Sequence, residues 1–124
     1  MTSNPLVSIG MPTWNRAHCI RESLDSLLGQ TYQNIELIIS DNASPDGTEE
    51  ICRQYAKEDE RVRYIRQKEN IGVINNYNYV LRESRGDYFM WACDDDLWEK
   101  EFIRKLLQGF EGRLVMGVFC KDII

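Results

Sequence analysis

Three consecutive aspartates, Asp94, Asp95 and Asp96, follow the apolar run Tyr88-Phe89-Met90-Trp91-Ala92. Two carboxylates about 4 Å apart repel by about 4 kcal/mol at an effective dielectric of about 20. A divalent cation turns that repulsion into attraction. Oxygen donors suit Mg²⁺ or Mn²⁺, which keep waters and recruit substrate phosphates as further ligands. Neighbouring side chains point in different directions, so one ion need not touch all three. The plain alternative is an acidic loop in which Asp96 caps the next helix.

Two further polar clusters stand directly after apolar runs. Leu6 to Met11 is closed by Pro12 and followed by Thr13-Trp14-Asn15, and Ile35 to Ser40 is followed by Asp41-Asn42. Asp41 has the chemistry to accept a hydrogen bond from a base or ribose, and equally to organise the turn that runs to Gly47. Trp14 offers a face on which a base can stack, or it packs at the rim of a core. His18, the only histidine, reads as a helix-surface residue and is given no role.

The elements that must position these residues alternate from end to end. Strands are expected at Leu6–Met11, Ile35–Ser40, Val62–Arg66, Tyr88–Ala92 and Leu114–Phe119. Between them, Ile20, Leu24, Leu27 and Leu28 recur at helical spacing, with Asn15 as the expected cap and Gly29 near the end. Asp46 and Glu49 fit a capping box opening a second helix that buries Ile51, Cys52, Tyr55 and Ala56. A third helix after Gly72 carries Tyr77, Val80 and Leu81 on one side. A fourth carries Ile103, Leu106, Leu107 and Phe110. Such alternation predicts an α/β fold with a mostly parallel, Rossmann-like sheet and helices on both faces. Right-handed crossovers gather the strand C-termini along one edge, where ligands bind in such sheets. All three polar clusters fall there.

At 124 residues the chain is one domain or less, and 43% hydrophobic with 28% charged residues fits a soluble globular class. A net charge of -5 argues against a nucleic-acid partner, which would need a basic face. Cys19, Cys52, Cys93 and Cys120 have no metal-ligand spacing, and no signal-peptide pattern is visible. Free thiols and a cytoplasmic location are therefore expected. No apolar run is long enough to span a bilayer, so any membrane contact is expected to be peripheral.

Taken together, the stretches VSIGMPTWNR, QTYQNIELIISDNASPDGT, ENIG and RGDYFMWACDDDLW resemble the family 2 glycosyltransferases of the GT-A fold. They occur in the family's order and spacing and cover most of Leu6 to Leu107. The resemblance implies transfer of a sugar from a nucleotide-diphospho-sugar, UDP by first choice, to an acceptor hydroxyl on a glycan or a lipid-linked molecule. It implies Mn²⁺ or Mg²⁺ assistance and inversion at the anomeric carbon. Pro12, Thr13 and Trp14 match the segment lining the base pocket, and Asp41 matches the aspartate that reads the uracil edge. Asn70 and Gly72 match an N-x-G turn near the nucleotide. Asp96, then Asp95, match the metal-holding end of the DxD-like motif, and Asp94 suits the ribose.

Two departures stand out. Relatives often have D-x-D-D where this chain has Cys93 at the first position, and an arginine before Asn78 where it has Tyr77. Arg66 or Lys68 are the candidate substitutes for the lost phosphate contact.

The resemblance further implies that residues 1–124 are a truncated domain, the nucleotide-sugar-binding half, with the catalytic base in a later half. No catalytic residue is assigned, and the chain alone is expected to be inactive. A bare sheet edge at Leu114–Phe119, Ile123 and Ile124 predicts self-association. The alternative is a noncatalytic nucleotide-sugar binding module. A receiver-type phosphotransferase would need aspartates after strand one, a nucleotidyltransferase a Gly-rich basic loop there, and a dinucleotide oxidoreductase a GxGxxG, none of which occurs.

Overall fold

The structure, a computed structural model, describes residues 4–110. Four strands alternate with four helices: β1 (Val7–Thr13), α1 (Ile20–Leu28), β2 (Ile35–Asp41), α2 (Thr48–Glu58), β3 (Val62–Arg66), α3 (Val73–Glu83), β4 (Tyr88–Trp91) and α4 (Phe102–Phe110). The expected strand at Leu114–Phe119, and with it the apolar edge proposed for self-association, lies outside the described residues.

The sheet is parallel throughout, in the order β3-β2-β1-β4. The chain runs outward from β1 to β3, then crosses back to place β4 on the other side of β1. That reversal makes the C-terminal end of β1 the switch point, where an open α/β sheet forms its crevice. Every residue of β1 and β2 is buried, as central strands covered on both faces require.

One face carries Val7, Ile9 and Met11 of β1 with Leu37 and Ile39 of β2, packed against Ile20, Leu24, Leu27, Ile51, Cys52 and Ile103 of α1, α2 and α4. The other face is covered by α3, which comes very close. A Cβ on Gly10 would sit 2.6 Å from Val80 Cγ2 and 2.8 Å from Phe89 Cζ. Polar residues tie this second face together. Ser40 Oγ donates to Asn76 Oδ1 at 2.5 Å, and Asn76 Nδ2 donates to Ser40 O at 3.0 Å. Arg63 pairs with Glu83 at 2.8 Å and Glu36 at 3.6 Å.

Several local expectations change. Asn15 does not cap α1; it sits at φ 55 in a turn that closes through Ile20 N to Arg16 O at 2.8 Å. Asparagine tolerates that left-handed conformation, so the chain uses it to leave the sheet. Asp46 Oδ1 accepts from Thr48 N at 3.0 Å, but Glu49 is turned outward to Arg53 at 2.9 Å, so the box stays open. On α3 the buried pair is Asn76 and Val80, while Leu81 is exposed, because the helix seats on Ser40 and Gly10. On β3, Val62 is buried and the other residues of this edge strand are half-buried.

Candidate functional site

The C-terminal ends of β1 and β2 pair in register, Thr13 opposite Asp41, and Asn42 N donates to Thr13 O at 2.9 Å. On the other side of β1, Thr13 Oγ1 donates to Asp94 Oδ2 at 2.8 Å, and Arg16 Nε reaches Asp94 Oδ1 at 3.2 Å. All three polar clusters therefore meet at one rim. Asp94 has both oxygens held. Burial pushes its carboxyl above the usual range, against the pull of Thr13 and Arg16, while Asp94 pushes the Arg16 guanidinium higher still.

Pro12 and Thr13 are buried beneath the rim, and Trp14 stands out from it, 47% exposed. An indole so placed is available for stacking rather than filling the core. The next residue, Asn15, has its Oδ1 buried with no partner among the described residues, and its backbone N–H donates to Ser44 Oγ at 2.9 Å.

Asp41 lies at the rim but turns inward. It is fully buried, with Oδ1 accepting from Ser44 N at 2.9 Å and Ser44 Oγ at 2.6 Å. Its Oδ2 accepts from Tyr64 Oη at 2.6 Å and Arg66 Nη1 at 3.5 Å. Burial and this bond push the Tyr64 hydroxyl well above its ordinary value. A base edge could reach this carboxylate only by displacing one of those donors. Arg66 is likewise engaged, by Ser44 O at 3.0 Å and Glu49 at 3.6 Å, so it is not a free substitute for a phosphate-binding arginine.

The residue after Asp41 does the joining. Asn42 Oδ1 accepts from Ile71 N at 2.8 Å, and its Nδ2 donates to Gly72 O at 3.3 Å. Asn70 Oδ1 accepts from Gly72 N at 2.8 Å, closing a tight turn, and Gly72 adopts φ +89, which side-chain-bearing residues rarely take. Asn70 and Gly72 are thus drawn to the same rim as β2 and expose the start of α3 there.

Asp95 is exposed and Asp96 half-buried, with the Asp96 backbone oxygen anchored by Ser23 Oγ at 2.7 Å. One donor atom each from Cys93, Asp95 and Asp96 lies within 4.8 Å of the others. Asp94 stands apart from that set, committed to Thr13 and Arg16. Burial, then the three aspartates, push the Cys93 thiol up. Tyr77 is half-buried close to Cys93. Two oxygens and a sulfur grouped this closely fit a divalent cation.

Sequence reasoning placed Asn42 at this rim but missed Arg16, Ser44 and Tyr64 as structural members of it. The Asp41–Ser44 spacing of three residues is a turn signal that pointed to Ser44. Nothing local to Tyr64 or Arg16 marked its partner.

A parallel α/β sheet with its polar loops at the switch point and an acidic cluster after β4 is the frame of a GT-A glycosyltransferase domain. The glycosyl transferase family 2 model matches residues 8–121, and the chain belongs to that family. It is 42% identical over 97 residues to an uncharacterized glycosyltransferase of Rickettsia typhi, covering 78% of this chain and 29% of that protein. A mannosyltransferase of Pyrobaculum calidifontis, solved in complex with GDP-Man and Mn²⁺, superposes with TM-score 0.71 at 31% identity. That match covers 78% of this chain and 29% of the other. Residues 1-349 of TarS from S. aureus, in complex with UDP-GlcNAc, give TM-score 0.76 at 25% identity, over 82% of this chain and 30% of that one. The chain spans about 30% of the length of each. Among the described residues no helix is long and apolar enough to cross a membrane.

Proposed function

We propose that residues 1–124 form the nucleotide-sugar-binding half of a GT-A glycosyltransferase domain. The observation that carries this reading is the Thr13–Asp94 bond, which sets the acidic segment after β4 against the ends of β1 and β2. In this reading Trp14 stacks on the base, with Pro12 and Thr13 forming the pocket floor. Asp94, oriented by Thr13 and Arg16, accepts from the ribose hydroxyls. The Asn70–Gly72 turn, held by Asn42, brings the backbone beside the nucleotide. Asp41 acts from behind, by fixing Ser44, Tyr64 and Arg66.

Asp95 and Asp96 would hold Mn²⁺ or Mg²⁺. When bound, the cation supplies charge stabilisation to the departing nucleoside diphosphate. The donor is a UDP-sugar in this proposal, supported by the likeness to a neighbour bound to UDP-GlcNAc; the GDP-Man neighbour makes GDP the competing base. An acceptor hydroxyl, on a glycan or lipid-linked molecule, attacks the anomeric carbon from the face opposite the leaving group. Inversion follows, with the hydroxyl proton passing to a carboxylate. That carboxylate is assigned to the part of the longer relatives that this chain does not span. The chain alone then binds donor without transferring sugar.

Calorimetric titration of UDP, GDP and CDP, with and without Mn²⁺, tests the reading against wild type, Asp95→Ala and Asp96→Ala. UDP binding that needs Mn²⁺ and weakens in both variants is expected. Equal, metal-independent binding of all three nucleotides would overturn it.

A further inference from the structure

We infer that Cys93 is a sulfur donor to the cation held by Asp95 and Asp96, making this a mixed thiolate–carboxylate site. The inference rests on the metal site proposed above and concerns which of this chain's own atoms fill it. Three features support it.

The Cys93 donor atom belongs to the same compact group as one oxygen each of Asp95 and Asp96, all within 4.8 Å. Small side-chain rotations would bring such a group to the roughly 2.0–2.3 Å bonds that a single ion makes. Asp94, although next in sequence, is occupied by Thr13 and Arg16, so the third protein donor available beside the two carboxylates is sulfur.

The surroundings hold the thiol toward those carboxylates. Cys93 is half-buried, with Asp96 and the half-buried Tyr77 close beside it. The Tyr77 ring is itself fixed against Trp91, with centroids 6.1 Å apart, and its carbonyl accepts from Trp91 Nε1 at 3.1 Å. Coordination would replace the S–H bond by a sulfur–metal bond and release the proton to solvent. The nearby Tyr77 hydroxyl would be available to donate to the thiolate, as outer partners of metal ligands do.

Sulfur changes which ions the site prefers. Carboxylate and water suit Mg²⁺, while a thiolate favours softer ions such as Co²⁺, Zn²⁺ and Cd²⁺. The chain is therefore expected to bind Co²⁺ and Cd²⁺ more tightly than Mg²⁺.

The test is a Co²⁺ titration of the 124-residue chain, read by sulfur-to-cobalt charge-transfer absorption in the near ultraviolet and in parallel by calorimetry. Wild type and Cys19→Ser should show the band, and Cys93→Ser should lose it while binding Cd²⁺ roughly tenfold more weakly. Cys93→Asp guards against a folding defect: it should bind Co²⁺ and Mg²⁺ without the band. Cobalt binding of equal affinity in wild type and Cys93→Ser, with no band in either, would overturn sulfur ligation and leave the carboxylate site standing. Absence of any Co²⁺, Mn²⁺ or Cd²⁺ binding by wild type would overturn both.

Discussion

Thr13 Oγ1 donates to Asp94 Oδ2 across the boundary between β1 and the segment after β4, at 2.8 Å, although 81 residues separate them. A hydrogen bond to a charged acceptor contributes about 1.5–3 kcal/mol. Asp94 is largely buried, so losing this donor leaves one oxygen short of a protein partner. Thr13→Val should therefore loosen Asp94, weaken nucleotide binding by about tenfold and lower the thermal midpoint. Calorimetry and thermal unfolding on the same preparation would check it; unchanged nucleotide affinity would show that Asp94's orientation does not matter to the ligand.

Trp14 can be probed through its own side chain. Stacking of a base on an aromatic residue contributes about 1–3 kcal/mol. Trp14→Ala should cut UDP affinity roughly tenfold or more with little loss of stability, because the indole is 47% exposed. Trp14→Phe should recover part of the loss. Fluorescence quenching by UDP should weaken in both variants.

Gly10 tests the close seat of α3. An added methyl would meet Val80 Cγ2 at 2.6 Å and Phe89 Cζ at 2.8 Å, and overpacking of that kind costs about 1–3 kcal/mol. Gly10→Ala should lower the urea midpoint accordingly. The compensating pair Gly10→Ala with Val80→Ala should recover much of the difference.

Gly72 is limited by backbone, not by space. Nothing lies within 4 Å of its would-be Cβ, yet its φ is +89. Gly72→Ala should cost about 1–3 kcal/mol through strain alone or else shift the turn. In the second case nucleotide affinity falls while stability barely changes, and the two measurements together separate the outcomes.

Asp46 gives a pH signature. Burial pulls its carboxyl upward, but hydrogen bonds from Thr48 and Ala17 outweigh that and hold it below the usual carboxylate range. A folded-state value below the unfolded one means stability that is present above the ordinary carboxylate range and lost as pH falls through the folded value. Wild type should lose stability over that acid window more steeply than Asp46→Asn, as followed by urea unfolding across pH.

The order of elements was legible because apolar periodicity is local. Ile20, Leu24 and Leu27 lie one helical turn apart, and each is buried as that spacing demands. The rim was legible for the same reason: parallel strands joined by right-handed crossovers must end on one edge, so residues placed after β1, β2 and β4 had to meet. Turn chemistry was less legible. Asn15 carries both a capping side chain and a tolerance for positive φ, and only the packed loop selects between them.

What the chain's order of residues determined by itself was the α/β alternation and the gathering of Thr13, Trp14, Asn42 and the three aspartates at a common edge. Only the tertiary structure decided which way their side chains turn. Asp41 faces inward because Tyr64 and Arg66, on the neighbouring strand, supply the donors that a buried carboxylate requires. Asp94 is committed to Thr13 and Arg16, and Cys93 lies near Tyr77. These pairings depend on contacts between residues far apart in the chain, where the cost of burying a polar group, rather than local periodicity, selects the partner.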